Sequence, residues 1–146
     1  MIYCRNLNSK RRTDLSKVKK AARVTLEEEG KPSFSVNILV VSDQKIRAVN
    51  RKYLGLDRST DVIAFPFECE VPGEEGLGTL LGDVMISSDK AFSNAKEFGN
   101  TFQEELQLYV VHGILHLLGY DDMTPGKQRR MRKREEELVS RIKETG

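Results

Sequence analysis

The sequence predicts an α+β fold, a single mixed sheet of about four strands covered by about five helices, one of them central and buried. Three observations predict it. Segments of strand-type and helix-type hydrophobic periodicity alternate from the N-terminus to about Ile86. Beyond that point only helical patterns remain. One of those late helices, around Val110, is apolar nearly all round, which suits an element enclosed on most sides.

The elements follow in order. Met1 to Leu7 carries a short apolar alternation through Ile2 and Cys4, a first strand. Asp14 caps a helix with Leu15, Val18, Ala22 and Leu26 on one side, and Gly30 and Pro32 end it. Phe34 to Val41 is a strand that turns apolar on both faces toward its end. Ser42 caps a second helix to about Tyr53; Lys45 stands where a full capping box needs Glu or Gln. Gly55 breaks it, residues 57–61 form a polar loop, and Val62 to Phe65 is a short strand stopped by Pro66. Glu68 to Gly78, with Pro72, Gly73, Gly76 and Gly78, reads as a mobile acidic connection that either gates a cleft or is plain solvated loop. Leu80 to Ile86 is another buried strand, and Ser87 or Ser88 caps a helix from Asp89 to about Phe98. Thr101 and Glu104 have capping-box spacing for a helix ending at Gly119. Thr124-Pro125 opens the last helix, with Met131, Leu138 and Ile142 as its apolar positions.

At 146 residues, with 32% charged and 38% apolar residues, the chain suits one soluble domain over 1–146. No apolar run approaches a membrane span, and Met1 to Arg5 lacks the apolar core of an export signal, so the expected location is cytoplasmic. Cys4 and Cys69 fit no metal-pair spacing and are expected to be reduced thiols. The net charge of +2 is unevenly spread: Lys10 to Arg23 and Lys127 to Arg134 are basic, and Glu68 to Glu75 is acidic. Such asymmetry marks either a nucleic-acid footprint or two solvated helix faces.

Chemistry concentrates in the segment from His112 to Asp122, which holds both histidines of the chain. They stand four apart and share one helical face. Burying two imidazoles in an apolar helix costs free energy unless each finds a partner, and one metal ion satisfies both. Past Gly119 the chain returns with Asp121 and Asp122. One of them ligates; the other is left to orient a histidine or handle protons. Two imidazoles and a carboxylate leave an open position for water, the catalytic pattern for zinc, and a harder ion such as manganese suits the same set. Zinc proteases share the histidine spacing but carry a glutamate general base directly after the first histidine. Gly113 occupies that position, which argues against a protease.

The segment HGILHLLGYDD closely resembles the signature HGxLHLxGYDH of the YbeY family of metal-dependent endoribonucleases. Upstream, NRKYLGLDRSTDVIAFPF (Asn50 to Phe67) is similar to the family's stretch ending in TDVLSFPF, and Leu81-Gly82-Asp83-Val84 to its LGDI strand. The resemblance implies an α+β fold around a four-stranded sheet with one zinc ion on a buried helix. It implies a single-strand-specific endoribonuclease that matures small-subunit rRNA and serves ribosome quality control, with rRNA and the small subunit as partners. His112, His116 and Asp122 match the metal ligands; at Asp122 the family has histidine. Leu54 stands where family members usually carry an arginine, and Ser59 where proline is common. A leucine cannot hold a phosphate, and Arg58 and Arg51 are the nearest candidates to take over.

On this reading Asp121 is the candidate for proton transfer. Arg58, Lys127, Arg129, Arg130 and Lys133 are the candidate contacts to the RNA backbone. Asp61 and Asp83 either line the site or serve as turn and cap residues; Phe65 and Phe67 either stack on bases or pack in the core. A competing reading, prompted by Leu54, is a ribosome-assembly or RNA-binding factor whose metal is mainly structural.

Overall fold

The computed structural model describes residues 1–67 and 79–145. The acidic connection from Glu68 to Gly78, and Cys69 within it, lie outside the described residues. Four strands and five helices are described: β1 (Ile2–Asn6), α1 (Leu15–Glu28), β2 (Ser35–Val41), α2 (Asp43–Leu54), β3 (Val62–Pro66), β4 (Leu80–Ser87), α3 (Ser88–Phe98), α4 (Phe102–Leu117) and α5 (Pro125–Glu144). The sheet order is β1-β2-β4-β3; β1, β2 and β4 run parallel, and β3 is antiparallel to β4. This is the mixed α+β sheet that the pattern predicts.

Local chemistry sets the helix boundaries. Asp14, Ser42, Ser87, Thr101 and Thr124 each accept a hydrogen bond from a backbone N–H in the first turn of the helix they precede. Thr101 and Glu104 form the full capping box, with N···O distances of 2.9 and 3.1 Å.

The period-two alternation of β4 sorts its side chains to two faces. Val84 and Ile86 join Val36, Ile38 and Val40 in the larger core, beneath α1 and α4. Met85 points the other way, into a smaller cluster with Val41, Ile46, Val49 and Ile63 under α2. On α4, Leu106, Val110, Val111, Ile114 and Leu115 are fully enclosed, because the sheet lies on one side and α1 and α5 on others. The all-round apolar pattern of this helix therefore has a geometric cause.

The structure extends one sequence expectation. β3 ends at Pro66 as expected, but includes it: Pro66 is the last residue of the strand and pairs with Gly82. The physical reason is that β3 is an edge strand, where a missing N–H costs no ladder bond. Phe67 continues the register, its N–H donating to Leu81 O at 2.8 Å. Cys4 forms no disulfide among the described residues, and burial pushes its thiol up to about 11.

Candidate metal centre

The last turns of α4 carry His112 and His116. The helix ends in a Schellman motif. Gly119 N–H donates to His116 O at 3.1 Å and Tyr120 N–H to Leu115 O at 3.0 Å, with Gly119 at φ +104°. That left-handed residue turns the chain back, so Asp122 faces the cleft that the histidines line.

The two imidazoles converge through their Nε2 atoms, 3.0 Å apart, with ring centroids separated by 4.6 Å. Two nitrogens on a tetrahedral zinc stand about 3.3 Å apart, so the pair fits one ion after a small opening. The other ring nitrogen of His112, Nδ1, is bonded to the Glu135 carboxylate from α5. Burial of His112 opposes its protonation, but the hydrogen bond and charge of Glu135 outweigh it and raise the imidazole pKa. His116 shifts the other way, because burial and the neighbouring His112 both disfavour its charge.

The cleft has a volume of about 530 Å³. His112, Gly113, His116 and Asp122 line one part of it; Leu54, Leu56, Arg58, Asp61 and Pro66 line the rest. Asp122 is exposed, and both imidazoles feel its charge. Among the described residues, no three His, Cys, Asp or Glu side chains are drawn together into a complete ligand set. The donors present, two Nε2 atoms and a carboxylate on the facing turn, are of the types that zinc takes.

Gly113 explains how α4 approaches the sheet. A Cβ there would stand 2.5 Å from Val84 Cγ1 and 3.2 Å from Val62 Cγ2. The position that carries a glutamate base in zinc proteases is here pressed against β3 and β4, with no room for a side chain.

Arg58 is the only cationic side chain lining the cleft among the described residues, and none of their carboxylates pairs with it. Its backbone is fixed from below: Arg58 O accepts from Asn50 Nδ2 at 3.0 Å, and Asn50 is only 3% exposed. An ion pair between Arg47 and Asp57, at 3.0 Å, ties the same loop to α2. Leu54 lines the same cleft as Arg58.

The remaining sequence candidates are distributed as follows. Asp121 does not line the histidine cleft. It accepts from Met123 N–H at 3.0 Å and from Lys127 Nζ at 3.2 Å, and these bonds, the Met123 N–H first, hold its carboxyl below the usual range. Lys127 and Arg130 border a separate recess with Asp121, and Arg129 and Lys133 are exposed on α5. Asp61 lines the cleft while its carboxylate accepts from Val62 N–H at 2.9 Å; Asp83 is bonded to Asn37 instead. Phe65 packs edge-on against Tyr53, whereas Phe67 is 51% exposed.

Sequence reasoning missed Glu135, which looks there like one of three surface glutamates balancing a basic run. A signal existed: Glu135 stands four residues after Met131 and three before Leu138, on the inward stripe of α5.

Comparison with known proteins agrees with this architecture. A family model described as Endoribonuclease YbeY matches residues 3–143. An Endoribonuclease YbeY from Desulforamulus reducens is 40% identical over 131 residues, which cover 88% of this chain and 86% of that protein. One from Bacillus velezensis is 39% identical over 131 residues, covering 86% and 83% respectively. A solution structure of a Thermotoga maritima protein superposes with a TM-score of 0.62 at 31% identity, covering 97% of this chain and 89% of that one.

Proposed function

Since the chain belongs to the Endoribonuclease YbeY family, we propose that it is a metal-dependent endoribonuclease of rRNA maturation whose active site is the cleft between α4 and the loop after α2. One observation carries the assignment of the site: two imidazoles converge through Nε2 in the same cleft that the Arg58 guanidinium lines. Its substrate is single-stranded rRNA of the small subunit, and the compartment that goes with that substrate is the cytoplasm. Among the described residues, no helix is long and apolar enough to cross a membrane.

His112 and His116 would hold one zinc ion through Nε2, with Asp122 as the third ligand. When bound, the ion supplies Lewis-acid polarisation of a phosphodiester oxygen and activation of water. The carboxylate in place of a third imidazole biases the site toward harder ions than the usual family set does. Arg58 holds the phosphate through charge-assisted hydrogen bonds and balances charge that develops on it. Lys127, Arg129, Arg130 and Lys133 on α5 add sequence-independent attraction to the RNA backbone. Within that run Lys127 is the weakest contributor, because Asp121 already neutralises it. Asp121 is correspondingly a poor proton acceptor near neutral pH; its bonds favour a turn-holding role.

The likeness to endoribonucleases over nearly the whole chain favours catalysis over an assembly factor with a structural metal. The test is cleavage of single-stranded rRNA by the native chain and by Arg58→Ala. Native protein should cut it, and the variant should lose roughly tenfold to a hundredfold in kcat/KM, the worth of one or two charge-assisted bonds. Equal binding by both proteins with no cleavage by either would favour the assembly factor instead.

A further inference from the structure

The C-terminal helix α5 covers α4 with an inward stripe of Met131, Leu138 and Ile142, each at most 2% exposed. Glu135 lies on that stripe rather than on the solvent face, and its side chain is only 16% exposed. A carboxylate so enclosed costs free energy unless it is bonded. Its surroundings are rich in cations, yet none of them takes it. Arg134 is bonded to Glu29 at 2.7 Å and to Glu137 at 2.9 Å. Arg132 borders the same recess as Glu135, His112 and Asp122 without an ion pair to Glu135 among the described residues. The partner Glu135 does take is Nδ1 of His112.

The consequence is directional. An ionised carboxylate only accepts, so His112 donates from Nδ1. In the neutral ring the lone pair is then on Nε2, the atom that faces Nε2 of His116. The bond also fixes the ring's rotation, since α5 is itself anchored. Arg134, the residue before Glu135, bridges to Glu29 and to the Glu28 carbonyl at the end of α1. Arg141 ties the far end of α5 to Glu28 as well, at 2.9 Å.

We propose that Glu135 is a positioning residue of the metal centre, which reaches across from α5 to fix the tautomer and orientation of His112 so that its Nε2 lone pair is presented to the ion. The inference rests on the reading of His112 and His116 as metal ligands. It makes the last helix part of the site and not only a cover for the core. Carboxylates that hold a ligating histidine in this way commonly account for about 10- to 100-fold in metal affinity.

The experiment is a zinc titration of the full chain against a chromophoric chelator, for the native protein, Glu135→Gln, Glu135→Ala and the exposed neighbour Glu136→Gln. Thermal unfolding of each metal-free protein is recorded alongside. Glu135→Gln keeps the volume and one acceptor but loses the charge, and should bind zinc about tenfold more weakly; Glu135→Ala should approach a hundredfold. Glu136→Gln should match the native protein, and metal-free Glu135→Gln should unfold near the native temperature. If the native chain binds no zinc, the metal reading fails and this inference with it. Native-like affinity in both Glu135 variants overturns the inference alone and leaves the metal reading standing. A loss confined to variants whose metal-free form also unfolds early makes Glu135 a packing residue, which equally overturns it.

Discussion

Replacing His116 with alanine is expected to lower kcat/KM for single-stranded RNA by at least about a thousandfold, roughly 4 kcal/mol of lost transition-state stabilisation. On the proposed ligand set, His112 and Asp122 alone would be too few to hold a catalytic ion at its working occupancy. The fold should survive. His116 is only partly buried, lines the cleft and is bonded to His112. Cleavage kinetics with circular dichroism on the same samples separate the two effects. Activity within tenfold of native, in a folded variant, would remove the histidine pair from the mechanism.

The second large effect concerns Gly113, where two physical terms oppose each other. Helix propensity alone makes Gly113→Ala stabilising by about 0.5–1 kcal/mol. Packing opposes it, because the new Cβ would sit 2.5 Å from Val84 Cγ1. Valine is stiff at χ1 and cannot swing clear, and Val84 is fully buried in the larger core. Overpacking of this kind costs about 1–3 kcal/mol, so packing wins and the variant should be less stable by roughly 1–2 kcal/mol. Urea unfolding measures it. Because relief of the clash lifts α4 from the sheet next to His112, zinc affinity should fall in the same variant. An unchanged or increased stability would mean that α4 does not press on β4 as closely as described.

Much of this fold was legible because its signals are local. Asp14, Ser42, Thr101 and Thr124 mark helix starts through bonds made within one turn, period-two alternation marks β2, and an apolar run marks the buried β4. The histidine pair was legible for the same reason, since four residues on one helix fix the geometry. That Pro66 is itself the last paired residue of β3 was not legible, because strand order is a tertiary property and only an edge position tolerates a paired proline. Glu135 was hidden for a related reason. It stands 23 residues beyond His112, on another helix, within a run of charges whose solvent-facing members look identical in sequence. Arg58 was visible as one of two nearby arginines, and it is the cleft-lining one because Asn50 holds its loop over the site. The basic run on α5 was the least legible part. Its members divide between structural ion pairs, such as Arg134 with Glu29, and exposed cations such as Arg129 and Lys133, and charge alone does not separate them.

The central claim is that His112 and His116, with Asp122, form a metal centre. Elemental analysis of the purified chain, alongside Asp122→Ala, tests it most directly. Native protein should carry close to one zinc or comparable divalent ion per chain, and Asp122→Ala should retain clearly less after dialysis. Native protein with no stoichiometric metal, even after incubation with zinc or manganese, would contradict the account at its foundation.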